Sequence, residues 1–396
     1  MAHLPDGDPA PRDGSLPTSA LDSGRPLSLY IHVPFCRVRC GYCDFNTYTP
    51  SELGDLSPDT YVGAAVAELD LAARILGTRR VQTVFFGGGT PTMLPAEGLA
   101  GLLRAVGERF EVEPDAEVTT EANPETLSPL YLETLRSAGF TRISLGLQSV
   151  VPHVLRVLER QHTPRRGLEA AGWARAAGFE HVSLDLIYGT PGESLDDWRA
   201  SLDAVASAPV DHVSAYSLIV EEGTRLAVQV RRGELPMPDE DDLADKYLLA
   251  DEVLGAIGFG NYEVSNWSRP GGECRHNLAY WRGADWWGVG PGAHSHIGGV
   301  RFWNRKHPRS YAAALAAGDS PALAREILGE EERHVERVLL ELRLADGVPL
   351  DVLTPSEQGR IGAIASRGLA VVADGRLKLT RAGRLLADGV VRDLLD

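Results

Sequence analysis

Short β-rich runs alternate with amphipathic helical stretches between about residues 27 and 225, and this alternation constrains the fold most. The strand-like runs are LSLYIHVPF, VQTVFFGGGTP, AEVTTEANP, TRISLGLQSV, HVSLDLIYGTPG and DHVSAYSLIVEEGT. Strands that alternate with helices form parallel β/α units. Six such units are fewer than the eight of a complete (β/α)8 barrel. The sequence therefore predicts an α/β fold built on a partial (β/α)6 barrel.

The rest of the chain divides into three segments around this barrel, which we predict over residues 27–225. Residues 1–26 are rich in proline and poor in large apolar residues, which predicts a disordered N-terminal arm. Residues 226–330 hold a helical stretch and a region rich in Trp, Gly and His, and we assign them to an extension of the barrel. Residues 331–396 show three helical stretches and the hairpin-like LAVVADGRLKLT, an order that resembles a winged helix of the α+β type.

The overall composition is that of an acidic globular protein. Across 396 residues, 55 Asp and Glu outnumber 39 Lys and Arg, for a formal net charge of −16. An acidic surface repels phosphate backbones, so we expect no nucleic-acid partner. We find neither an apolar run of the roughly 18–20 residues that span a bilayer nor the pattern of a secretory signal. Four cysteines are too few for a disulfide framework, and we predict a cytoplasmic protein with reduced thiols.

Three of the four cysteines, Cys36, Cys40 and Cys43, lie in FCRVRCGYCDFNTY, directly after the first strand-like run. Such a loop emerges at the C-terminal end of the barrel, where β/α folds place their chemistry. Three thiolates at this spacing suit zinc or an iron–sulfur cluster. A structural zinc site has four ligands, and no nearby histidine or cysteine completes one. A 4Fe–4S cluster with three protein ligands would leave one iron open to a further ligand.

The segment CRVRCGYC resembles the CxxxCxxC loop of radical S-adenosylmethionine (SAM) enzymes. From about Leu27 to the C-terminus, the chain is similar to the branch that contains oxygen-independent coproporphyrinogen III oxidase and the haem chaperone HemW. The resemblance implies a radical SAM barrel in which Cys36, Cys40 and Cys43 hold a 4Fe–4S cluster. It also implies that SAM chelates the open iron, where a reduced cluster can pass one electron to the sulfonium and break a C–S bond. The protein then orients these cofactors.

Candidate SAM-binding residues follow the strand-like runs. The glycines of FFGGGTPT let the backbone approach the methionyl group. Polar residues recur at the ends of later strands, where a buried carboxylate is costly without a partner, which suggests a shared ligand. Glu121 and Asp185 could instead cap helices, and an arginine on a helical stretch is commonly solvated. By resemblance, the residues that contact SAM are Tyr30, Tyr42, Gly88, Gly89, Thr90, Glu121, Gln148, Arg160 and Asp185.

A second dense signal is CRHNLAYWRGADWWGVGPGAH, residues 274–294. Aromatic side chains beside an imidazole suit a flat macrocycle, because rings stack and a neutral imidazole can ligate haem iron. The HNxxYW arrangement resembles the HemW branch, which implies His276 as a haem ligand. Cys274 is a rival ligand, two positions earlier. The alternative is that the aromatic residues form core and that His276 makes a buried hydrogen bond.

Two functions from different classes follow from this resemblance. An oxidase would use the radical to abstract hydrogen from porphyrinogen propionates and convert them to vinyl groups. A chaperone would bind haem as cargo and deliver it to apoproteins. By resemblance, the oxidase branch has a further cysteine at position 45, in a CxxxCxxCxC run, whereas this chain has Phe45 in the C-D-F of the chaperone branch. We therefore predict a haem chaperone without coproporphyrinogen oxidase activity.

The expected partners follow from that prediction. They are haem, haem-accepting apoproteins and, if SAM is cleaved, an electron donor. Haem transfer would also allow a peripheral contact with a membrane. A radical SAM enzyme acting on another substrate is a third alternative, because fold-level analogy does not fix a substrate.

Overall fold

The structure is a computed structural model that describes residues 6–53, 57–160 and 163–396. The strands are β1 (Asp8–Pro9), β2 (Leu27–Val33), β3 (Arg80–Gly88), β4 (Glu111–Ala122), β5 (Arg142–Gln148), β6 (His181–Tyr188), β7 (His212–Ser217), β8 (Gly260–Glu263), β9 (Asn266–Ser268), β10 (Asp285–Val289), β11 (His294–Ile297), β12 (Val300–Asn304), β13 (Ala322–Ile327), β14 (Val348–Pro349), β15 (Ala370–Ala373) and β16 (Arg376–Leu379).

The helices connect these strands. They are α1 (Thr18–Leu21), α2 (Pro50–Leu53), α3 (Pro58–Leu76), α4 (Ala96–Arg109), α5 (Pro129–Ala138), α6 (Pro152–Val157), α7 (Pro164–Ala176), α8 (Leu195–Ser207), α9 (Arg225–Arg231), α10 (Glu240–Ala256), α11 (Arg275–Trp281), α12 (Pro308–Ala316), α13 (Glu330–Glu341), α14 (Pro355–Ser366), α15 (Arg381–Leu385) and α16 (Ala387–Leu395). In the described part of the chain, no helix has both the length and the apolar character needed to cross a bilayer.

The six predicted strands, β2 to β7, lie side by side in chain order and pair in parallel, as the sequence indicates. Helices connect them, and the strands bury long apolar runs such as the one in β2. The sheet then continues antiparallel through β9 and β8 at one edge. The prediction of an α/β fold with a partial, six-unit barrel is confirmed.

The other edge of the sheet differs from a simple barrel end. β10 pairs in parallel with β2, and β11, β12 and β13 follow it as antiparallel strands. The Trp-rich region therefore contributes a seventh parallel strand to the sheet rather than a separate layer. Its residue Trp287 is 2% exposed and belongs to the main core.

Helix boundaries follow local chemistry. In α5, the hydroxyl of Ser128 accepts a hydrogen bond from the backbone N–H of Tyr131 and so caps the N-terminus. Gly139 ends the same helix in the left-handed region, with φ 109°, where a side chain would be strained. The predicted glycine stop of this helix is confirmed.

The N-terminal segment differs from its prediction as a disordered arm. In the described residues 6–26, β1 pairs with β13 at the edge of the sheet, and Asp8 lies opposite Arg325. Ala20 is 1% exposed. Backbone hydrogen bonds to a sheet edge do not require large apolar side chains, so composition alone did not indicate this placement.

Residues 330–395 pack around a core of their own. The strands β14, β16 and β15 form a small antiparallel sheet, and α13, α14 and α16 cover it. Val338, Leu377 and Leu394 are fully buried in this separate core. The arrangement of helices and hairpin is that of the predicted winged-helix-like α+β unit.

Candidate functional site

The barrel encloses a cavity of about 880 Å³. Bulky branched residues fill the interior of a closed (β/α)8 barrel. Here the inward positions of β4 to β7 hold small hydroxyl side chains instead, among them Thr119, Ser144, Ser183 and Ser214, all of which line the cavity. Because these side chains are small, they leave open space along the inner face of the sheet.

The cysteine loop lies at the C-terminal end of β2 and forms part of the cavity wall. Cys36, Cys40 and Cys43 all line the cavity. The backbone N–H of Cys36 donates to the carbonyl of Tyr48 at 3.1 Å, and that of Cys43 donates to the carbonyl of Cys40 at 3.2 Å, which fixes the loop. Burial raises the pKa of Cys36 and raises that of Cys43 to about 12, so binding of a metal centre would release protons.

The three thiols line one cavity. Within the residues that the structure describes, no group of three His, Cys, Asp or Glu side chains is arranged to hold one metal ion.

The glycines at the end of β3 allow close packing against β2 and the start of the cysteine loop. Gly88 has φ 105°, and a Cβ atom there would lie 2.5 Å from the ring of His32. A Cβ on Gly89 would lie 2.6 Å from the carbonyl oxygen of Phe35. The next residue, Thr90, places its hydroxyl 3.9 Å from the sulfur of Cys36. Glycine thus permits a close approach of the end of β3 to β2 and to the start of the cysteine loop. Gly88, Gly89 and Thr90 line the cavity.

Two predicted carboxylates line the same cavity, on alternate strands of the sheet. Glu121, on β4, accepts a hydrogen bond from the backbone N–H of Gly88 at 3.1 Å. Asp185, on β6, accepts one from the hydroxyl of Ser144 at 2.8 Å. Burial, with the charge of Asp185 as a second cause, raises the pKa of Glu121 to about 8. Burial also raises the pKa of Asp185 to about 6, against the hydrogen bonds from its serine neighbours.

Gln148 ends β5 in an uncommon backbone conformation. Its φ is 63°, in the left-handed region, and the pairing of β5 with β6 shifts between Gly146 and Gln148. Such strain in a non-glycine residue is concentrated at functional sites. The irregularity turns the Gln148 side chain into the cavity.

Arg160 lies just beyond α6 and connects β5 to the cysteine loop. Its Nη2 donates to the carbonyl of Gly146 at 2.9 Å, and its Nη1 donates to the sulfur of Cys40 at 3.5 Å. Its Nε is buried without a hydrogen-bond partner among the described residues. Arg160 is therefore a cavity residue and not a solvated surface arginine.

The two predicted tyrosines differ in position. Tyr42 lines the cavity from within the cysteine loop, and burial raises its pKa strongly. Tyr30, on β2, is not among the residues that line the cavity. Its hydroxyl is hydrogen-bonded to Nδ1 of His32 at 3.0 Å, and its ring stacks on Phe85.

His276 lies in the interior, beside the cavity wall. It is 1% exposed; its Nδ1 is hydrogen-bonded to the hydroxyl of Thr83 at 2.7 Å, and its Nε2 to that of Tyr280 at 2.9 Å. Its ring stacks on Phe85 with centroids 5.0 Å apart, and burial lowers its pKa to about 4. Both nitrogens are engaged in this conformation, so neither is free to ligate iron, in contrast to the expected haem ligation.

Cys274 lines the cavity, unlike His276. Its thiol donates to Glu117 at 3.4 Å, and Arg142 donates to the same carboxylate at 2.9 Å. Sequence reasoning did not identify Glu117, Arg142 or His212 as site residues. Arg142 and His212 begin their strands and Glu117 lies in the middle of β4, so the pattern of polar residues at the C-terminal strand ends does not mark them.

The residues present fit the cofactors that the cysteine motif implies. Three thiols, a glycine-rich turn, two carboxylates and an Arg160 nitrogen that has no partner in the described part of the chain surround one cavity. Carboxyl and amide groups suit the hydroxyl and amino groups of a ligand such as SAM. The chemistry that a bound cluster supplies is one-electron transfer, while these side chains hold and orient the ligand.

Known proteins resemble the chain at the level of both sequence and fold. Residues 30–205 match the Radical SAM superfamily. The chain is 57% identical over 380 residues to the Heme chaperone HemW of Mycobacterium tuberculosis, which covers 96% of this chain and 97% of that protein. It is 38% identical to the Heme chaperone HemW of Synechocystis, covering 82% of this chain and 79% of that protein.

The solved structure of coproporphyrinogen III oxidase (HemN) from Escherichia coli, a radical SAM enzyme, has the same fold. It superposes with a TM-score of 0.82 over 95% of this chain and 92% of that one, at 24% identity. Fold, cysteine loop and sequence matches together define a radical SAM protein. Within this superfamily, the chain belongs to the family of the haem chaperone HemW.

Proposed function

We propose that this protein is a haem chaperone that binds haem, a 4Fe–4S cluster and SAM, and delivers the haem to acceptor proteins. The observation that supports this function most is the 57% identity to a Heme chaperone HemW along nearly the full length of both chains. The fold that the chain shares with the oxidase does not distinguish a chaperone from an oxidase, because one fold hosts different functions. Phe45 in place of the oxidase branch's cysteine favours the chaperone.

In this proposal, the thiolates of Cys36, Cys40 and Cys43 would hold the 4Fe–4S cluster, and SAM would bind beside it in the same cavity. Arg160 stabilises the thiolate of Cys40 by a charge-assisted hydrogen bond. Glu121, Gln148 and Asp185 line the same cavity and would contact SAM together with Arg160, Tyr42, Gly88, Gly89 and Thr90. Tyr30 would act indirectly, since it packs beside the cavity wall.

The mouth of the cavity offers a surface suited to haem. Val38, Phe45 and Ile219 line the cavity and are 44%, 58% and 62% exposed. Exposed apolar side chains grouped around a cavity mark binding sites for apolar ligands. Arg37, also exposed at this mouth, could pair with a propionate group of the macrocycle. We therefore propose that haem docks at this mouth rather than on His276.

The proposal is tested by assaying two activities in parallel on the same anaerobically reconstituted protein. Haem is titrated by absorbance, and transfer to an apo-haemoprotein is followed after mixing. Turnover of coproporphyrinogen is measured with SAM and a reductant. We expect stoichiometric haem binding and transfer without decarboxylation. SAM-dependent formation of protoporphyrinogen would contradict the proposal and identify an oxidase.

A further inference from the structure

Three polar atoms at the floor of the cavity lack hydrogen-bond partners among the described residues. They are Oγ1 of Thr119, Nη1 of Arg142 and Nδ1 of His212. Their side chains line the cavity, yet these residues are only 1%, 1% and 2% exposed. Buried polar groups are nearly always satisfied, so three of them along one cavity indicate a ligand. We call Thr119, Arg142 and His212 the floor residues.

The floor residues form one group. Thr119 and Arg142 lie directly opposite each other on the paired strands β4 and β5. His212 begins β7, two strands away from Arg142, and the charge of Arg142 contributes to lowering the pKa of His212, after burial as the main cause. The floor is also remote from the mouth. Arg142 and Gln148 are six residues apart on β5, which corresponds to about 20 Å along an extended strand.

Two of the three guanidinium nitrogens of Arg142, Nε and Nη2, donate hydrogen bonds within the protein. These bonds fix the orientation of the third nitrogen, Nη1. Nε donates to Glu117 at 2.9 Å, and Nη2 donates to the carbonyls of Gly272 and Glu273, both at 2.9 Å. Glu117 in turn accepts from the backbone N–H groups of Arg275 and His276. This network holds the guanidinium rigidly, so Nη1 is a fixed donor toward the cavity. Arginine has no acceptor.

The hydrogen bonds of His212 assign a donor to the cavity as well. Its Nε2 lies 2.7 Å from the hydroxyl of Tyr262, and that hydroxyl oxygen already accepts the backbone N–H of Cys274. The described residues offer the Tyr262 proton no other acceptor, so we assign the Tyr262 hydroxyl as the donor and Nε2 as the acceptor. In the neutral ring the proton then resides on Nδ1, the atom that faces the cavity. Burial lowers the pKa of His212 well below its usual value, so the ring is neutral.

We propose that the floor residues bind a carboxylate group of a small molecule that enters through the mouth of the cavity. Arg142 and His212 present N–H donors, and the hydroxyl of Thr119 supplies a third. A carboxylate accepts hydrogen bonds on both oxygens and donates none, which matches a site made of donors. A water molecule has two acceptor sites for these three donors, whereas the two oxygens of a carboxylate can accept from all three at once. This inference does not depend on the proposed haem function.

The site can be tested with propionate as the probe, titrated calorimetrically into the reconstituted full chain. Thr119→Val removes one donor while keeping the shape of the side chain, and it breaks no hydrogen bond, because Oγ1 has no partner among the described residues. A hydrogen bond to a charged group contributes enough for a loss of about tenfold or more in affinity. We expect Thr119→Val to weaken propionate binding by that factor and Thr119→Ser to restore it.

A matched control is Thr190→Val. Like that of Thr119, its Oγ1 is buried without a partner among the described residues, but Thr190 does not line the cavity, so its variant should bind propionate like the unmodified protein. Thermal unfolding of all variants verifies that they are folded. Absence of saturable propionate binding, or equal affinity of the Thr119→Val and unmodified proteins, would overturn the proposal and leave the floor as a site for water. A crystal structure with bromoacetate, locating bromine beside Arg142, would independently support it.

Discussion

The guanidinium of Arg160 donates from Nη1 to the sulfur of Cys40, at 3.5 Å, and from Nη2 to the carbonyl of Gly146, at 2.9 Å. One side chain thus ties the cysteine loop to the end of β5. Because a thiolate is the form that ligates iron, a permanent positive charge beside it favours the ligating state.

We expect Arg160→Met to weaken cluster retention. The variant removes a charge-assisted hydrogen bond to Cys40, which is sufficient for roughly tenfold faster cluster loss to a chelator. The measurement is the decay of cluster absorbance, together with iron content. Arg156→Met, at an exposed position at the end of α6, is the control and should behave like the unmodified protein. Equal decay of both variants would contradict a role for Arg160 in holding the loop.

The four cysteines should separate into two classes. Cys40→Ala is expected to abolish the cluster absorbance, because two thiolates do not retain a cluster in place of three. Cys274→Ser should preserve it, since the Cys274 thiol is directed at Glu117. Iron and sulfide analysis after anaerobic reconstitution measures both. A cluster that survives in Cys40→Ala would exclude the proposed ligand set.

The raised pKa of Glu121 leads us to expect that the stability of the protein depends on pH. Its pKa rises from its ordinary value near 4.5 to about 8 in the folded protein, with burial as the largest cause. The folded state therefore keeps a proton that the unfolded state loses, and stability falls as pH rises from about 4.5 through 8. Relative to Glu121→Gln, the cofactor-free protein should lose up to about 1.4 kcal/mol per pH unit within this window.

Urea unfolding at several pH values between 5 and 8 tests this expectation. The comparison with Glu121→Gln cancels the contributions of other buried carboxyls, such as Glu68 and Glu193, whose pKa values burial also raises to about 7. Glu97→Gln, at an exposed position of α4, is the control. A pH-independent difference between the Glu121→Gln and unmodified proteins would show that Glu121 is ionised throughout.

His276→Ala should affect stability and leave haem affinity unchanged. The variant loses two buried hydrogen bonds and a ring contact with Phe85, at a cost of about 2–3 kcal/mol. The control is His296→Ala, since His296 is 2% exposed and its ring nitrogens have no hydrogen-bond partner among the described residues. Denaturant unfolding and haem titration are the measurements. A stable His276→Ala protein that no longer binds haem would restore His276 as the ligand.

Phe45→Ser should weaken haem binding without affecting the fold. Its side chain is 58% exposed at the mouth of the cavity, so its removal leaves the core intact but deletes apolar surface that a macrocycle would cover. We expect a loss of about tenfold in haem affinity, measured by titration. Leu130→Ser removes a side chain that is 72% exposed on α5 and does not line the cavity, and haem affinity should remain unchanged. Equal haem affinity in both variants would place haem elsewhere.

The rim of the site was predictable because parallel strands end at a common edge. Glu121, Gln148 and Asp185 each occur near the end of a strand-like run, and Cys36 follows another, so strand order alone places them around one opening. Gly139 likewise marks a helix end that the structure confirms. In each case the relevant signal is local, lying within a few residues of a strand or helix boundary.

Other features depend on contacts between residues distant in sequence. β1 is held by the edge strand β13, about 300 residues later, through backbone hydrogen bonds that leave no trace in composition. The short strand β10 pairs with β2 although the intervening barrel separates them in the chain.

Contacts with residues distant in sequence also decide the roles of two histidines, His276 and His212. His276 is a plausible iron ligand by its motif, but packing against Thr83 and Tyr280 engages both of its nitrogens. His212 belongs to no motif, yet its hydrogen bond to Tyr262 leaves a donor facing the cavity. The sequence by itself determined the family, the parallel barrel and the cysteine loop, because these follow from periodicity and local spacing. Only the tertiary structure decided which buried nitrogens are satisfied, because their partners lie on other strands and helices.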